Sequence, residues 1–130
     1  LDYVGVIALE LFDVDGALLA NEFAPRVHNS GHWTIEGSET SQFENHLRAI
    51  LDLPLGSTQA RGYSAMVNFI GGVPETSAVM GLANAHLHLY DKGPRKGRKV
   101  AHATVRANEK VPYQDALEQL VLLADQVDDS

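Results

Sequence analysis

The sequence contains no cysteine, and this absence excludes disulfide bonds and thiolate metal sites. It also lacks any apolar run as long as a membrane span and shows no signal-peptide pattern, so we do not expect a membrane partner. Positive charge is scarce, because 10 lysines and arginines stand against 17 aspartates and glutamates, for a net charge of −7. General nucleic-acid binders have the opposite balance, so nucleic acid is not an expected partner.

The basic residues that are present are unevenly distributed. Half of them fall within eight consecutive positions, as Lys92, Arg95, Lys96, Arg98 and Lys99. In an acidic protein, such a cluster fits one specific anionic ligand better than a polyanion. The intervening glycines and proline favour a fixed turn. Phosphate capture and a solvated basic loop remain competing interpretations of this cluster.

The segment Asn21–Thr34 (NEFAPRVHNSGHWT) is unusually rich in groups that serve in functional sites. It carries the carboxylate of Glu22, the guanidinium of Arg26, two imidazoles and the only tryptophan of the chain. Purely structural segments show apolar periodicity, and this one does not. Arg26 follows the rigid Pro25, and a guanidinium can hold a small planar anion by two parallel hydrogen bonds. We therefore interpret the segment as the lining of an active site that binds anionic groups.

A β-hairpin is predicted to lead into this segment. The nearly continuous apolar run Tyr3–Phe12 indicates a strand that is buried on both faces. Asp13–Gly16 has the composition of a turn, and Ala17–Phe23 forms the returning strand, which Pro25 ends.

The length of the hairpin loop decides where two carboxylates point. A two-residue turn at Asp15 would place Glu10 opposite Asn21 and turn Glu22 to the other face. A three-residue loop, Val14–Gly16, would place Glu10 and Glu22 diagonally on one face, within reach of a shared cation such as magnesium. We predict the three-residue loop, because a carboxylate on a buried face without a partner is costly. Two exposed sheet carboxylates without a cation are the competing interpretation.

The remainder of the chain predicts a helix, a linker and further short elements, and so an α+β fold. The capping box Ser41–Glu44 opens a helix on which His46 is expected to be solvated, and Leu53–Gly62 reads as a linker. Pro112 begins an amphipathic terminal helix. Strands are predicted at residues 64–70, 85–90 and 99–106, and a short helix at 74–82.

Six histidines raise a second hypothesis, a non-enzymatic histidine-rich module that binds a divalent transition metal. His28 and His32 have the i, i+4 spacing of zinc ligands on a helix, although Pro25 and the intervening glycine argue against a helix there. His86 and His88 share one face of a predicted strand, which could also hold a metal.

Three blocks of sequence, in order along the chain, closely resemble one family. The blocks are Asn21–Thr34, residues 42–55 (QFENHLRAILDLPL) and residues 90–102 (YDKGPRKGRKVAH). They resemble the 5-(carboxyamino)imidazole ribonucleotide synthetases, the ATPase subunits of phosphoribosylaminoimidazole carboxylase, in the ATP-grasp superfamily. The match corresponds to the C-terminal part of such an enzyme. Because the sequence begins within a strand-like run, we expect a fragment. The resemblance implies that the adenine-binding lobe and the phosphate loop lie upstream, so this fragment is expected to be inactive alone.

The resemblance implies a reaction and an architecture. ATP phosphorylates bicarbonate to carboxyphosphate, and the carbon dioxide released from it carboxylates aminoimidazole ribonucleotide in de novo purine synthesis. Residues 1–57 would be the C-terminal portion of an ATP-grasp domain, an antiparallel hairpin plus a helix. Residues 58–130 would be a small β-rich C-terminal domain with a terminal helix. A cytoplasmic location and a homodimer of the full-length enzyme are further expectations, and a formate-using ribonucleotide transformylase is an alternative ATP-grasp ligase.

The resemblance also implies roles for individual residues on the nucleotide side. Glu10 and Glu22 match the two carboxylates that hold magnesium on the ATP phosphates, and Asn21 with Glu22 matches the pair that lines the nucleotide. Some ATP-grasp relatives carry a further asparagine ligand where this chain has Ala24, so metal binding would depend on fewer side chains. Arg26 falls where ATP-grasp carboxylases place an arginine against bicarbonate or carboxyphosphate.

The remaining implied roles concern the wall of the pocket and the ribonucleotide. The family's Asn-Ser-Gly-His stretch borders the bicarbonate pocket, and it corresponds here to residues 29–32. The expected catalytic residues are therefore Arg26, Asn29 and His32. The expected ligands of the ribonucleotide phosphate are Lys92, Arg98 and Lys99.

Overall fold

A computed structural model describes residues 2–93 and 95–128, without the side chains of Arg95 and Asp128. The chain divides into two units, one ending at Gln59 and the other beginning at Ala60. Helices and strands occur together in both, and the predicted α+β class is confirmed. Within the described residues, no helix is both long enough and apolar enough to cross a membrane.

The first unit begins with a hairpin of β1 (Ala8–Val14) and β2 (Ala17–Ala24). Val14 pairs with Ala17, so the loop has two residues, and the predicted three-residue loop is wrong. Both loop residues have positive φ, 52° at Asp15 and 84° at Gly16, a combination that matches the twist of the flanking strands. The turn is further stabilised by the Gly16 amide, which donates to Asp13 Oδ1 at 2.9 Å.

A β-bulge places the two glutamates of the hairpin on one face in spite of the short turn. Leu11 pairs with Ala20, but Glu10 pairs with Glu22, so Asn21 is the extra residue of β2. The two glutamates lie directly opposite each other and not diagonally, as the longer loop would have placed them. They share a face, as predicted, but the bulge and not the loop length is the reason.

The apolar side chains of the hairpin are exposed within this unit. Leu11, Phe12, Leu18 and Leu19 are each between 44% and 66% exposed. The prediction of burial on both faces is therefore wrong for the structure described here, because a two-stranded sheet has no covering layer of its own. Since neighbouring strand residues point to opposite faces, these side chains are exposed on both faces of the hairpin.

The polar segment after β2 leads into three short helical elements of the first unit. They are a 3₁₀ helix (Asn29–Gly31), α1 (Thr34–Gly37) and α2 (Gln42–Ile50). The predicted cap is confirmed, since Ser41 Oγ accepts a hydrogen bond from the Glu44 amide at 3.2 Å. The expectation of a solvated His46 is wrong, because its Nδ1 accepts a hydrogen bond from the Val6 amide at 3.0 Å.

The second unit is a three-stranded antiparallel sheet with two helices. Its strands β3 (Tyr63–Gly71), β4 (Ala85–Leu89) and β5 (Arg95–Ala107) are arranged in the order β3-β5-β4. The helices are α3 (Thr76–Met80) and α4 (Lys110–Asp128). Strand β5 begins four residues before its predicted start at residue 99, because Arg95 pairs with Gly71.

The core of the second unit lies between the sheet and α4. Ala116, Leu120 and Ala124 recur at intervals of four on α4 and are buried, as the apolar periodicity predicts. Pro112 lies in the first turn of α4, where its missing amide hydrogen costs no intrahelical bond. The other buried members of this core are Phe69, Val79, Ala85, Ala101, Ala103 and Val105.

Candidate active site

The centre of the candidate site is the glutamate pair across the hairpin. Residues opposed in an antiparallel ladder have Cβ atoms about 4.5–5.5 Å apart, and like charges in such positions repel. Two neighbours offset this repulsion. An Arg26 guanidinium nitrogen lies 3.6 Å from Glu22 Oε1, and Asn21 Nδ2 donates to Glu10 Oε2 at 3.4 Å. Paired carboxylates with an adjacent amide supply the oxygen ligands that magnesium prefers.

A histidine outside the predicted catalytic set also reaches the pair. His28 Nε2 lies 3.4 Å from Glu10 Oε1, and the His28 side chain is only 11% exposed. The Ser30 amide donates to His28 Nδ1 at 3.3 Å, so Nδ1 is an acceptor and the proton of the neutral ring is on Nε2. The Nε2 that carries the proton therefore faces the Glu10 carboxylate. Its distance from Glu10 depends on the path of the loop, which neither spacing nor periodicity predicts.

The predicted residues Arg26, Asn29 and His32 lie along the same segment in different settings. The Arg26 side chain is 60% exposed next to Glu22 and also donates to the Val27 carbonyl at 3.1 Å. Asn29 opens the 3₁₀ helix, and its carbonyl accepts from the His32 amide at 3.0 Å. The His32 ring stacks on Phe43, with 5.2 Å between ring centroids.

The structure thus divides the predicted residues of the first unit into two groups. Arg26 stands with the glutamate pair, and Asn29 and His32 belong to the supporting loop. His28 links the groups, since it lies in the loop sequence and contacts Glu10.

The predicted phosphate ligands come together in the second unit. Lys92, Arg98 and Lys99 line a cleft of about 560 Å³, together with Gly93, Gly97 and Val100. The β3–β5 register shifts between the pairs Ile70–Lys99 and Gly71–Arg95, so Lys96, Gly97 and Arg98 bulge out of the ladder. Gly97 has φ of 70°, a conformation that favours glycine. The basic run is therefore a shaped bulge in β5, whereas the sequence predicts a turn before the strand.

The half-buried Tyr90 contacts Lys92, one of the residues that line this cleft. The Lys92 ammonium lies 5.9 Å from the centre of the Tyr90 ring, within the range of a cation–π contact. The Tyr90 hydroxyl is hydrogen-bonded to His102 Nδ1 at 2.6 Å, and the His102 ring stacks on His88 at 4.5 Å. His102 is 2% exposed. Tyr90 is thus anchored to the interior of the sheet.

The alternative of a histidine-rich metal module finds no three-ligand site in the described residues. No group of three or more His, Cys, Asp or Glu side chains there is placed to hold a metal ion. His28 instead contacts Glu10, and His88 stacks on His102.

Comparison with known families gives matches to both units. The ATP-grasp domain family matches residues 1–43, and the phosphoribosylaminoimidazole carboxylase C-terminal domain family matches residues 64–115.

Individual relatives of known name match along almost the whole of this chain. The N5-carboxyaminoimidazole ribonucleotide synthase of Pseudomonas aeruginosa is 59% identical over 123 residues, which cover 95% of this chain and 34% of the relative. The crystal structure of the N5-carboxyaminoimidazole ribonucleotide synthetase from Thermus thermophilus shares 60% identity with a TM-score of 0.88, covering 95% of this chain and 34% of that one. The Aspergillus clavatus synthase in complex with ADP and 5-aminoimidazole ribonucleotide shares 41% identity with a TM-score of 0.83, and the match covers 95% of this chain and 35% of that one. The chain thus spans about a third of the length of these relatives.

Proposed function

Because the chain belongs to the N5-carboxyaminoimidazole ribonucleotide synthase family of ATP-grasp enzymes, we propose that it is part of an ATP-dependent ligase that carboxylates aminoimidazole ribonucleotide. In this reaction ATP phosphorylates bicarbonate to carboxyphosphate, and the transferred carbon comes from that intermediate. The observation that carries the proposal is the directly opposed pair of Glu10 and Glu22 beside Arg26, within a chain that is 59% identical to such a synthase.

We assign the glutamate pair to magnesium and the ATP phosphates. Two opposed carboxylates repel each other, and a hard divalent cation that also contacts phosphate oxygens relieves that repulsion. When bound, such a cation supplies neutralisation of the charge that develops during phosphoryl transfer. Glu10 and Glu22 would supply its protein ligands, and Asn21 donates to Glu10 and holds it in place.

Arg26 is assigned to bicarbonate and carboxyphosphate. Its guanidinium lies beside Glu22 with its side chain 60% exposed, so it is held in position and still accessible to a small anion. A guanidinium binds a planar carboxylate-like anion by two parallel hydrogen bonds and stays charged at any physiological pH. It would orient bicarbonate for attack on the terminal phosphate and stabilise the negative charge of the product.

We assign Lys92, Arg98 and Lys99 to the phosphate of the ribonucleotide. All three line one cleft, and the bulge at Gly97 shapes it. The Aspergillus clavatus relative was solved with ADP and 5-aminoimidazole ribonucleotide, and this complex supports the proposed substrate.

The same proposal assigns residues 1–57 to the end of an ATP-grasp domain and 58–130 to a C-terminal domain. The rest of the enzyme would cover the apolar surface of the hairpin, where Phe12 is 54% and Leu18 is 66% exposed. We further infer a homodimer of the full-length enzyme and a cytoplasmic location. The support for these is the kinship to purine-biosynthesis synthases.

The test is a Glu22→Gln substitution in a full-length enzyme that contains this sequence. The amide keeps the shape of the side chain but removes the charge, so bicarbonate-dependent ATP hydrolysis should be abolished. Glu39→Gln, at an exposed position of the same unit, is the matched control and should leave turnover unchanged. Near-normal turnover in the Glu22 variant would overturn the assigned role. Activation of ATP hydrolysis by formate in place of bicarbonate would point to a transformylase instead.

A further inference from the structure

Gln42, the first residue of α2, holds the backbone of His28 at both of its polar groups. Gln42 Oε1 accepts from the His28 amide at 2.9 Å, and Gln42 Nε2 donates to the His28 carbonyl at 2.7 Å. A backbone amide can only donate and a carbonyl can only accept, so the two contacts fix which end of the Gln42 carboxamide is oxygen.

This fixed orientation also determines the proton position on a second histidine. Gln42 Nε2 lies 2.8 Å from His32 Nδ1, and Nε2 can only donate. His32 Nδ1 is therefore an acceptor, and the proton of the neutral ring is on Nε2. His28 has the same tautomer, because its Nδ1 accepts from the Ser30 amide. One carboxamide thus joins the backbone of His28 to the imidazole of His32.

The contacts around Gln42 leave its side chain little freedom. The backbone amide of Gln42 donates to Thr34 Oγ1 at 2.9 Å, and the Thr34 hydroxyl donates to the Gly31 carbonyl. A methyl group added at Gly31 would come within 2.6 Å of Gln42 Oε1. Glycine at position 31 is therefore explained by the close approach of Gln42.

We propose that Gln42 is a positioning residue for the ligase reaction proposed above, on which this inference rests. It holds the loop of residues 28–32 so that His28 Nε2 lies 3.4 Å from Glu10. This contact would orient Glu10 toward the cation and the phosphates. Groups that contact metal ligands from outside help to fix their orientation, and loss of such outer partners typically lowers metal affinity or activity about 10- to 100-fold. Gln42 acts one step further out, through His28, and touches neither substrate nor cation.

The test is Gln42→Glu in the full-length enzyme, with ¹⁵N-labelled histidine. The carboxylate keeps the acceptor for the His28 amide but turns a second oxygen toward the His28 carbonyl and His32 Nδ1. We expect His32 to take a proton on Nδ1, visible in the ¹⁵N spectrum of its ring. We expect kcat for bicarbonate-dependent ATP hydrolysis to fall about 10-fold or more, as for other supporting contacts. The KM for the ribonucleotide should stay unchanged, since Lys92, Arg98 and Lys99 are untouched.

Two further variants complete the experiment. Gln119→Glu, at an exposed position of α4 in the second unit, makes the same chemical change outside the loop of residues 28–32 and should match the wild type. Gly31→Ala leaves Gln42 intact but displaces its carboxamide, and alanine adopts the backbone of a 3₁₀ helix freely, so folding should be preserved. It should lower kcat in the same way.

The possible results separate this inference from the proposed function. A wild-type enzyme without bicarbonate-dependent ATP hydrolysis overturns the proposed function, and the positioning role with it. An active wild type, with both variants at normal kcat and an unchanged His32 spectrum, overturns the role of Gln42 alone. Loss of kcat with the expected change at His32 supports both.

Discussion

Replacing Tyr90 with phenylalanine should destabilise the second unit measurably although it removes only one oxygen. That oxygen is 2.6 Å from His102 Nδ1, and His102 is 2% exposed, so water does not replace the lost partner. A hydrogen bond contributes about 0.5–1.5 kcal/mol net, and a buried polar atom left unsatisfied costs about 1–3 kcal/mol. Because the second range already includes the lost bond, we expect about 1–3 kcal/mol in total. The ring remains to pack on His102 and under Lys92.

The assay is amide hydrogen exchange of β5 in the full-length protein, which reports the opening free energy of this strand without assuming two-state unfolding of several domains. Tyr63→Phe is the matched control, because Tyr63 is 45% exposed. The opening free energy of β5 should change by no more than about 0.5 kcal/mol in this variant. Equal exchange in the two variants would refute the reasoning that the Tyr90–His102 contact anchors the basic cleft.

Two further predictions concern the core and the phosphate cleft. Leu120→Ala should destabilise the second unit by about 3–5 kcal/mol, because Leu120 is 0% exposed and its loss leaves a cavity. The control is Leu122→Ala, at a residue that is 61% exposed, which should change the free energy of unfolding by only about 0.5 kcal/mol. Lys99→Ala should mainly raise the KM for the ribonucleotide. The control is Lys110→Ala, at an exposed position of α4, which should leave this KM unchanged. An unchanged KM in the Lys99 variant would remove Lys99 from the phosphate site.

Elements whose signals are local were predictable from the sequence. The terminal helix follows from apolar residues at four-residue intervals, and the start of α2 follows from the Ser41 cap, which the structure reproduces. Strand β5 was predicted too short, because the bulge between Arg95 and Lys99 hides the early part of the strand from any two-residue period. Burial of the hairpin was predicted wrongly, because apolar content shows that a strand should be covered but not what covers it.

The candidate site shows the limit of such signals more clearly. The residue types of Asn21–Thr34 indicate anion chemistry, but their geometry depends on contacts that no periodicity encodes. A two-residue turn alone would have set Glu10 opposite Asn21, and a one-residue offset turns a side chain to the other face of the strand. The bulge at Asn21 restores the opposition of Glu10 and Glu22.

Gln42 illustrates the same point from outside the polar segment. Its side chain makes three of its contacts to residues at least 10 positions away, and a glutamine at the start of a helix gives no sign of this in sequence. In the sequence, position 42 belongs to a capping box and to one of the blocks that resemble the family, and neither assigns a role to its side chain. In the structure that side chain contacts the His32 ring and both polar backbone groups of His28. The chemistry of a site can therefore be recognised from the residues that contact ligands, but its geometry is held by residues that do not.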